Sequence, residues 1–203
     1  MTTALLQTTY FGPIQWYQKL HRYDHCVIEQ HDSYQKQTYR NRCVIATANG
    51  SQVLTVPVED GRKVKDVRIS DHNQWRRVHW NALQSAYSES PFFEYYADDI
   101  RPFFEQKYEF LIDFNEAIRQ KMCELLDIET EISYSNNYLS PFTFHLSPFM
   151  DFREVIHAKH PKEDAEFQPR SYWQVFQHKY GFQPNLSILD LLFCMGPEAV
   201  FYL

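Results

Sequence analysis

Thr3-Ala4-Leu5-Leu6-Gln7, Gly12-Pro13, Ile14-Gln15-Trp16-Tyr17-Gln18-Lys19-Leu20 and Asp24-His25-Cys26-Val27-Ile28-Glu29 are the segments on which the fold turns. The first is a short apolar run that reads as a strand. Gly12-Pro13 then makes a turn, and Pro13 suits the start of a helix, where a missing backbone N–H costs nothing. Ile14, Trp16, Tyr17 and Leu20 fall at helical spacing. Residues 24–29 read as a second strand. Strand, tight loop, short helix and strand make a βαβ unit, and such units bind ligands beyond the carboxyl ends of their strands. Gln7, Thr8, Thr9, Tyr10 and Phe11 stand at that end of the first strand.

Outward from this unit the pattern changes. Residues 31–42 are polar and hold Lys36, Tyr39, Arg40, Asn41 and Arg42. Cys43–Ala46 and Val53–Val56 are strand-like runs flanking Asn49-Gly50, a strong hairpin signal. Val64, Val67 and Ile69 suggest a further strand ending at Ser70. The middle is helical, with predicted helices over about 72–88, from Phe92 to about Phe104, and from Phe110 to about Leu126, the last on a clear 3.6-residue stripe. Thr130–Ser135 alternates as a strand does. Residues 136–170 carry Pro141, Pro148, Pro161 and Pro169 and read as loops. Near the end, Ser187 followed by Asp190 has capping-box spacing, an apolar helix follows, and Gly196-Pro197 stops it. Apolar on nearly every side, that helix must be buried. The expected fold is mixed α/β: the βαβ unit and the hairpin form a sheet, covered by the helical middle and the buried C-terminal helix. One domain is expected over residues 1–203.

Composition narrows the chemistry. The chain has 203 residues, 20 Lys+Arg against 26 Asp+Glu for a net charge of −6, and 17% aromatic residues. Nucleic-acid binders show a basic footprint, so none is expected as a partner. Only five residues are Gly, against roughly 14 at average usage. No two stand close enough to write a dinucleotide fingerprint or a Walker A loop, so a bound phosphate must be held by side chains. The longest apolar run is Leu191–Met195, too short to span a membrane, and residues 1–7 have no basic, signal-like start. Cys26, Cys43, Cys123 and Cys194 are widely spaced, which suits reduced, buried thiols in a cytoplasmic protein.

Candidate sites follow from residue type. Gln7, Tyr10 and Gln18 could line a pocket at the first strand's carboxyl end. Lys36, Arg40 and Arg42 could clamp a phosphate or carboxylate, since Arg makes bidentate contacts, and Asn41 could orient the bound group. His157 is the candidate for proton transfer, because an ordinary imidazole titrates near neutral pH. The pairs His21/His25 and His157/His160 fall short of an ordered metal site, so no metal is expected, and no motif names a cofactor. Asp190 is either a helix cap or a carboxylate that holds a cation.

The stretch from Gln7 to Leu20 resembles the Q-P-Y-F-F-P-Y-I-G-Y-F-Q-L-I opening of the WbqC-like protein family. The resemblance continues through Asp24, Lys36, Arg40-Asn41-Arg42, Leu54–Val58, Trp75, Ala86-Tyr87, Pro91-Phe92-Phe93, Asn115, Ile132 and Ser135. It closes on Gln174-Val175-Phe176, Leu186–Phe193 and Gly196. Thr8, Gly12-Pro13 and Gln15 depart from the opening, and Gln30-His31 replaces the family's usual acidic pair. The resemblance implies a role in surface-polysaccharide assembly, O-antigen included. There the protein would be a transferase moving an acyl or aminoacyl group such as glycyl to an amino sugar. Its expected partner is a small molecule, a nucleotide-linked sugar. A non-catalytic scaffold of a polysaccharide assembly complex and a nucleotidylyltransferase-like protein are the alternatives.

Overall fold

The computed structural model describes residues 2–59, 61–140 and 149–203. Its centre is the βαβ unit that the opening segments predict. Strand β1 (Thr3–Gln7) leads through helix α1 (Ile14–Arg22) to β2 (His25–Glu29). The strands run parallel, with Thr3 opposite His25 and Gln7 opposite Glu29. Short parallel strands covered on both faces read as apolar runs, and Ala4, Leu5, Leu6, Cys26, Val27 and Ile28 are all buried.

Two more strands complete the sheet. β5 (Glu131–Tyr134) pairs with β2, and β6 (Phe149–Asp151) pairs with β1, both in parallel. The order β5-β2-β1-β6 puts β1 in the middle, with the chain leaving it to one side and returning on the other. β6 falls in the stretch read as loops. It has three residues, Phe-Met-Asp, too few to show any period. The expected readings at Pro141 and Pro148 lie outside the described residues.

The hairpin is β3 (Arg42–Thr47) and β4 (Gly50–Thr55). It forms a two-stranded antiparallel sheet of its own rather than joining the parallel sheet, in which β1 and β2 already have neighbours on both sides. Its turn lies one residue earlier than Asn49-Gly50 suggests, at Ala48-Asn49, and Gly50 takes the left-handed position with φ of 100°. The expected strand ending at Ser70 is absent. Val64–Asp66 is a 3-10 turn, and residues 67–70 make only isolated bridges. Val64 and Val67 are both fully buried, and their three-residue spacing fits one 3-10 turn better than strand alternation.

Four helices fall close to their predicted places, α2 (Trp75–Tyr87), α3 (Phe93–Ile100), α4 (Leu111–Leu125) and α6 (Ile188–Met195), and the short α5 (Gln177–Tyr180) is not foreseen in the sequence. α6 is buried on every side from Ile188 to Cys194. Ser187 caps it, its Oγ accepting from the Leu189 amide at 3.3 Å. Asp190 does not complete a capping box. Its carboxylate turns inward and accepts from Tyr87 Oη at 2.9 Å, Tyr172 Oη at 2.6 Å and Gln174 Nε2 at 3.0 Å. Neither reading of Asp190 from the sequence describes this: it is the hub of a buried hydrogen-bond network. Gly196 ends the helix at φ of 55°, where a Cβ would also collide with the Phe92 ring. Among the described residues, no helix is long and apolar enough to cross a membrane.

Candidate functional site

The carboxyl ends of β1, β2 and β6 bring charged and polar residues to one edge of the sheet. In open parallel sheets, ligands bind in the crevice where the strand order reverses, which here is beside β1. Gln7 ends β1. Its carbonyl accepts from Trp16 Nε1 at 2.9 Å and its Nε2 donates to the Ile156 carbonyl at 2.5 Å, while its Oε1 has no hydrogen-bond partner. Glu29 ends β2 and is buried. It accepts from the His31 amide, Ser135 Oγ and the Leu139 amide at 2.7–2.8 Å, and Arg153 Nη1 lies at 3.6 Å. Asp151 ends β6 and takes the Arg153 guanidinium side-on, at 2.9 and 2.6 Å. An Arg–carboxylate fork of this kind fixes orientation as well as charge.

The basic loop packs against this edge. The Tyr10 amide donates to the Tyr39 carbonyl at 2.9 Å, tying the loop after β1 to the segment before β3. Arg40 follows and is only 2% exposed. Asp32 holds its Nη2 at 2.8 Å and Asn115 Nδ2 donates to its carbonyl at 2.8 Å, yet its Nε and Nη1 have no partner. Burial pulls the Arg40 guanidinium below its usual pKa, and Asp32 opposes this. Asn41 Nδ2 donates to the Val56 carbonyl at 2.8 Å, leaving its Oδ1 unpartnered. Arg42 Nε and the Tyr34 hydroxyl are also buried without partners.

Buried polar groups are nearly always hydrogen-bonded. Of the eleven unpartnered buried side-chain atoms among the described residues, seven belong to Gln7, Tyr34, residues 40–42 and Asn115. The deficit is concentrated at the edge where the sheet presents its carboxyl ends.

His157 follows β6, one residue after the carbonyl that Gln7 grips. Its Nδ1 accepts from the Lys159 and His160 amides, both at 3.1 Å, so the neutral ring carries its proton on Nε2. Burial lowers its pKa; Glu154 opposes this, and His160 and Arg40 add to it. Arg40 and His157 therefore share one electrostatic neighbourhood.

The other expected site residues are placed differently. Tyr10 is fully buried, with its hydroxyl on His79 Nδ1 at 2.9 Å and its ring against Phe11 and Phe114. The Tyr10-Phe11 pair is thus core packing. Gln18 is buried within α1 with its Oε1 unpartnered, and Lys36 is exposed. The four thiols are buried and free, and burial pushes the Cys26 pKa up to about 11, which leaves little thiolate near neutral pH. No group of three or more His, Cys, Asp or Glu side chains converges as metal ligands among the described residues.

Sequence reasoning missed Tyr34, Asp32, Glu29, Asn115, Asp151 and Arg153. Glu29 was accessible to the same rule that singled out Gln7, being the last residue of a parallel strand. Asp151 and Arg153 were not, because β6 carries no periodic signal.

Fold and site define an α/β protein whose parallel sheet gathers buried guanidiniums and carboxylates at its carboxyl edge. The WbqC-like protein family matches residues 7–160, and the chain belongs to that family. It is similar over nearly its whole length to Rv1507c, an uncharacterized protein of Mycobacterium tuberculosis, with 28% identity covering 98% of this chain and 96% of that one. No solved structure matches.

Proposed function

We propose that this chain is an enzyme of surface-polysaccharide assembly, of the O-antigen type, that transfers a small acyl or aminoacyl group such as glycyl to the amino group of a nucleotide-linked sugar. The resemblance of the Gln7–Leu20 and Leu186–Phe193 segments to WbqC-like proteins supports the pathway. The observation that carries the placement is Arg40, a buried guanidinium with two unpartnered nitrogens at the carboxyl edge of the sheet. A guanidinium donates and never accepts, so its natural complement is a phosphate or carboxylate.

In this reading Arg40 and Arg42 hold the anionic group, with Lys36 adding positive charge at the surface. Asn41 and Gln7 offer unpartnered carbonyl oxygens to hydroxyl or amino hydrogens of the sugar. Tyr10 contributes through its amide, which holds the two loops together. In the transfer itself the acceptor amine attacks the carbonyl of an acyl ester or thioester, the new C–N bond forms, the C–O or C–S bond breaks, and the proton lost by the amine ends on the departing alkoxide or thiolate. His157 presents Nε2–H in its resting tautomer, which suits hydrogen-bond donation to the developing oxyanion. Accepting the amine proton there requires the ring to give up its two amide contacts at Nδ1.

Isothermal titration against UDP- and dTDP-linked amino sugars tests the reading. Micromolar binding that Arg40→Ala and Arg42→Ala weaken supports it. Binding indifferent to both substitutions overturns the placement, and no binding to any such sugar overturns the function.

A further inference from the structure

We propose that Tyr34, Arg40 and Arg42 form a clamp for a phosphoryl group, with the Tyr34 hydroxyl as the donor that favours phosphoryl over carboxylate. The inference deepens the reading above and rests on this site being the one that takes the nucleotide-linked sugar.

The Tyr34 hydroxyl is the first ground. It is buried and has no hydrogen-bond partner, while the backbone beside it is pinned by the Tyr34 amide donating to the Arg62 carbonyl at 3.0 Å. Packing needs only the ring. A buried hydroxyl left unsatisfied costs stability, so in the free protein this oxygen is a liability that a phenylalanine would lack.

Its surroundings are the second. Arg40 Nε, Arg40 Nη1 and Arg42 Nε are buried and unpartnered too, and both guanidiniums pull the Tyr34 phenol downward against the effect of burial. Asp32 fixes the Arg40 fork through Nη2 before any ligand arrives. Glu154 and Arg153 also reach Arg40, with opposite effects. The unpartnered nitrogens can only donate, and the phenol is a donor toward an anion. Their complement is therefore a group that only accepts. A carboxylate offers two oxygens, whereas the diphosphate of a nucleotide-linked sugar offers four non-bridging oxygens on two phosphorus atoms, enough to meet three separate side chains.

Titration with inorganic pyrophosphate, UDP and malonate, on the full chain and on Tyr34→Phe, tests the clamp. Pyrophosphate and UDP should bind more tightly than malonate. Tyr34→Phe should weaken both about tenfold, the loss of one hydrogen bond to a charged group, while melting no lower than the wild type in the absence of ligand. Arg42→Lys keeps the charge, loses the fork and should weaken binding in the same direction.

The clamp is overturned if Tyr34→Phe binds as the wild type does, if malonate binds as tightly as pyrophosphate, or if no probe binds. It is also overturned if Tyr34→Phe melts well below the wild type, which would mark the hydroxyl as structural. Nucleotide-linked sugars that bind without regard to Tyr34 would sink the clamp and leave the function standing. Tyr34-dependent pyrophosphate binding with no affinity for any nucleotide-linked sugar would do the reverse.

Discussion

The Tyr10 amide donates to the Tyr39 carbonyl at 2.9 Å, so a residue just past β1 and one just before β3 are in direct contact. This bond sets Arg40 beside the carboxyl edge of the sheet. The Arg40 carbonyl is in turn held by Asn115 Nδ2 of α4 at 2.8 Å. Three elements distant in the chain thus fix the backbone from which this guanidinium extends.

Asn115→Ala should expose the importance of that second tie. Asn115 is 1% exposed, and its removal leaves the Arg40 carbonyl short of a donor. The expected loss is about 1–3 kcal/mol of stability, read by urea denaturation. Asn115→Asp should also destabilise, because a carboxylate cannot donate to a carbonyl. A loss under a few tenths of a kcal/mol in both variants would show that the loop is held elsewhere.

His79 should make the fold sensitive to acid. Burial lowers its pKa to about 4, with a hydrogen bond to the Thr55 backbone opposing the shift. The unfolded chain takes up the proton near pH 6.5 and the folded chain does not, so stability falls as the pH drops from about 6.5 to about 4. One such group accounts for about 3 kcal/mol over that window. Urea denaturation of the wild type and His79→Phe between pH 7 and pH 4.5 should show a shallower acid loss in the variant. Parallel curves would count against the assignment.

Asp190 should act in the opposite direction. Burial raises its pKa, although Tyr172, Tyr87 and Gln174 donate to it and work against the shift. The folded chain keeps this proton to a higher pH than the unfolded chain does. Its contribution is therefore fully present below the unfolded carboxyl pKa and is lost as pH rises through the folded value. Asp190→Asn carries no such titration and should gain on the wild type in chemical denaturation as pH rises from 4 to 8. A variant that loses ground over that range would show that the three donors outweigh burial.

Lys19 should be needed for charge balance. Its side chain is 0% exposed, 2.8 Å from Asp164, whose side chain is 5% exposed, and it lies over the Phe152 ring. Lys19 also lies 3.2 Å from Glu166, and the Gln15 side-chain amide donates to Asp164 at 2.8 Å, so Lys19→Met leaves Asp164 a neutral donor in place of its cation and should cost about 3 kcal/mol. The double variant Lys19→Met with Asp164→Leu should recover much of that loss, because the unpaired charge is gone. A double variant no more stable than Lys19→Met alone would place the cost in packing.

Much of the fold was legible in the residues because local patterns carry it. The runs 3–7 and 24–29, the stripe from Phe110 to Leu126 and the apolar helix after Ser187 each hold their whole signal within a few turns of chain. Val64–Ser70 misled because Val67 and Ile69 alternate as a strand does, whereas the buried Val64 and Val67, three apart, belong to a 3-10 turn. The site was half legible. Gln7, Arg40 and Arg42 stood out by residue type and position, while Tyr34 looked like any loop tyrosine and Tyr10 looked available.

By itself, the sequence determined that this is an α/β chain opening on a βαβ unit, and its five scattered glycines excluded a dinucleotide fingerprint and a Walker A loop. Only the tertiary structure decided that β6 completes the sheet beside β1, that Tyr10 belongs to the core, and that Arg40 and Tyr34 keep unpartnered donors at the carboxyl edge. Local periodicity reports which face of an element is apolar, whereas a missing hydrogen bond is a relation among residues far apart in the chain, and no local pattern encodes it.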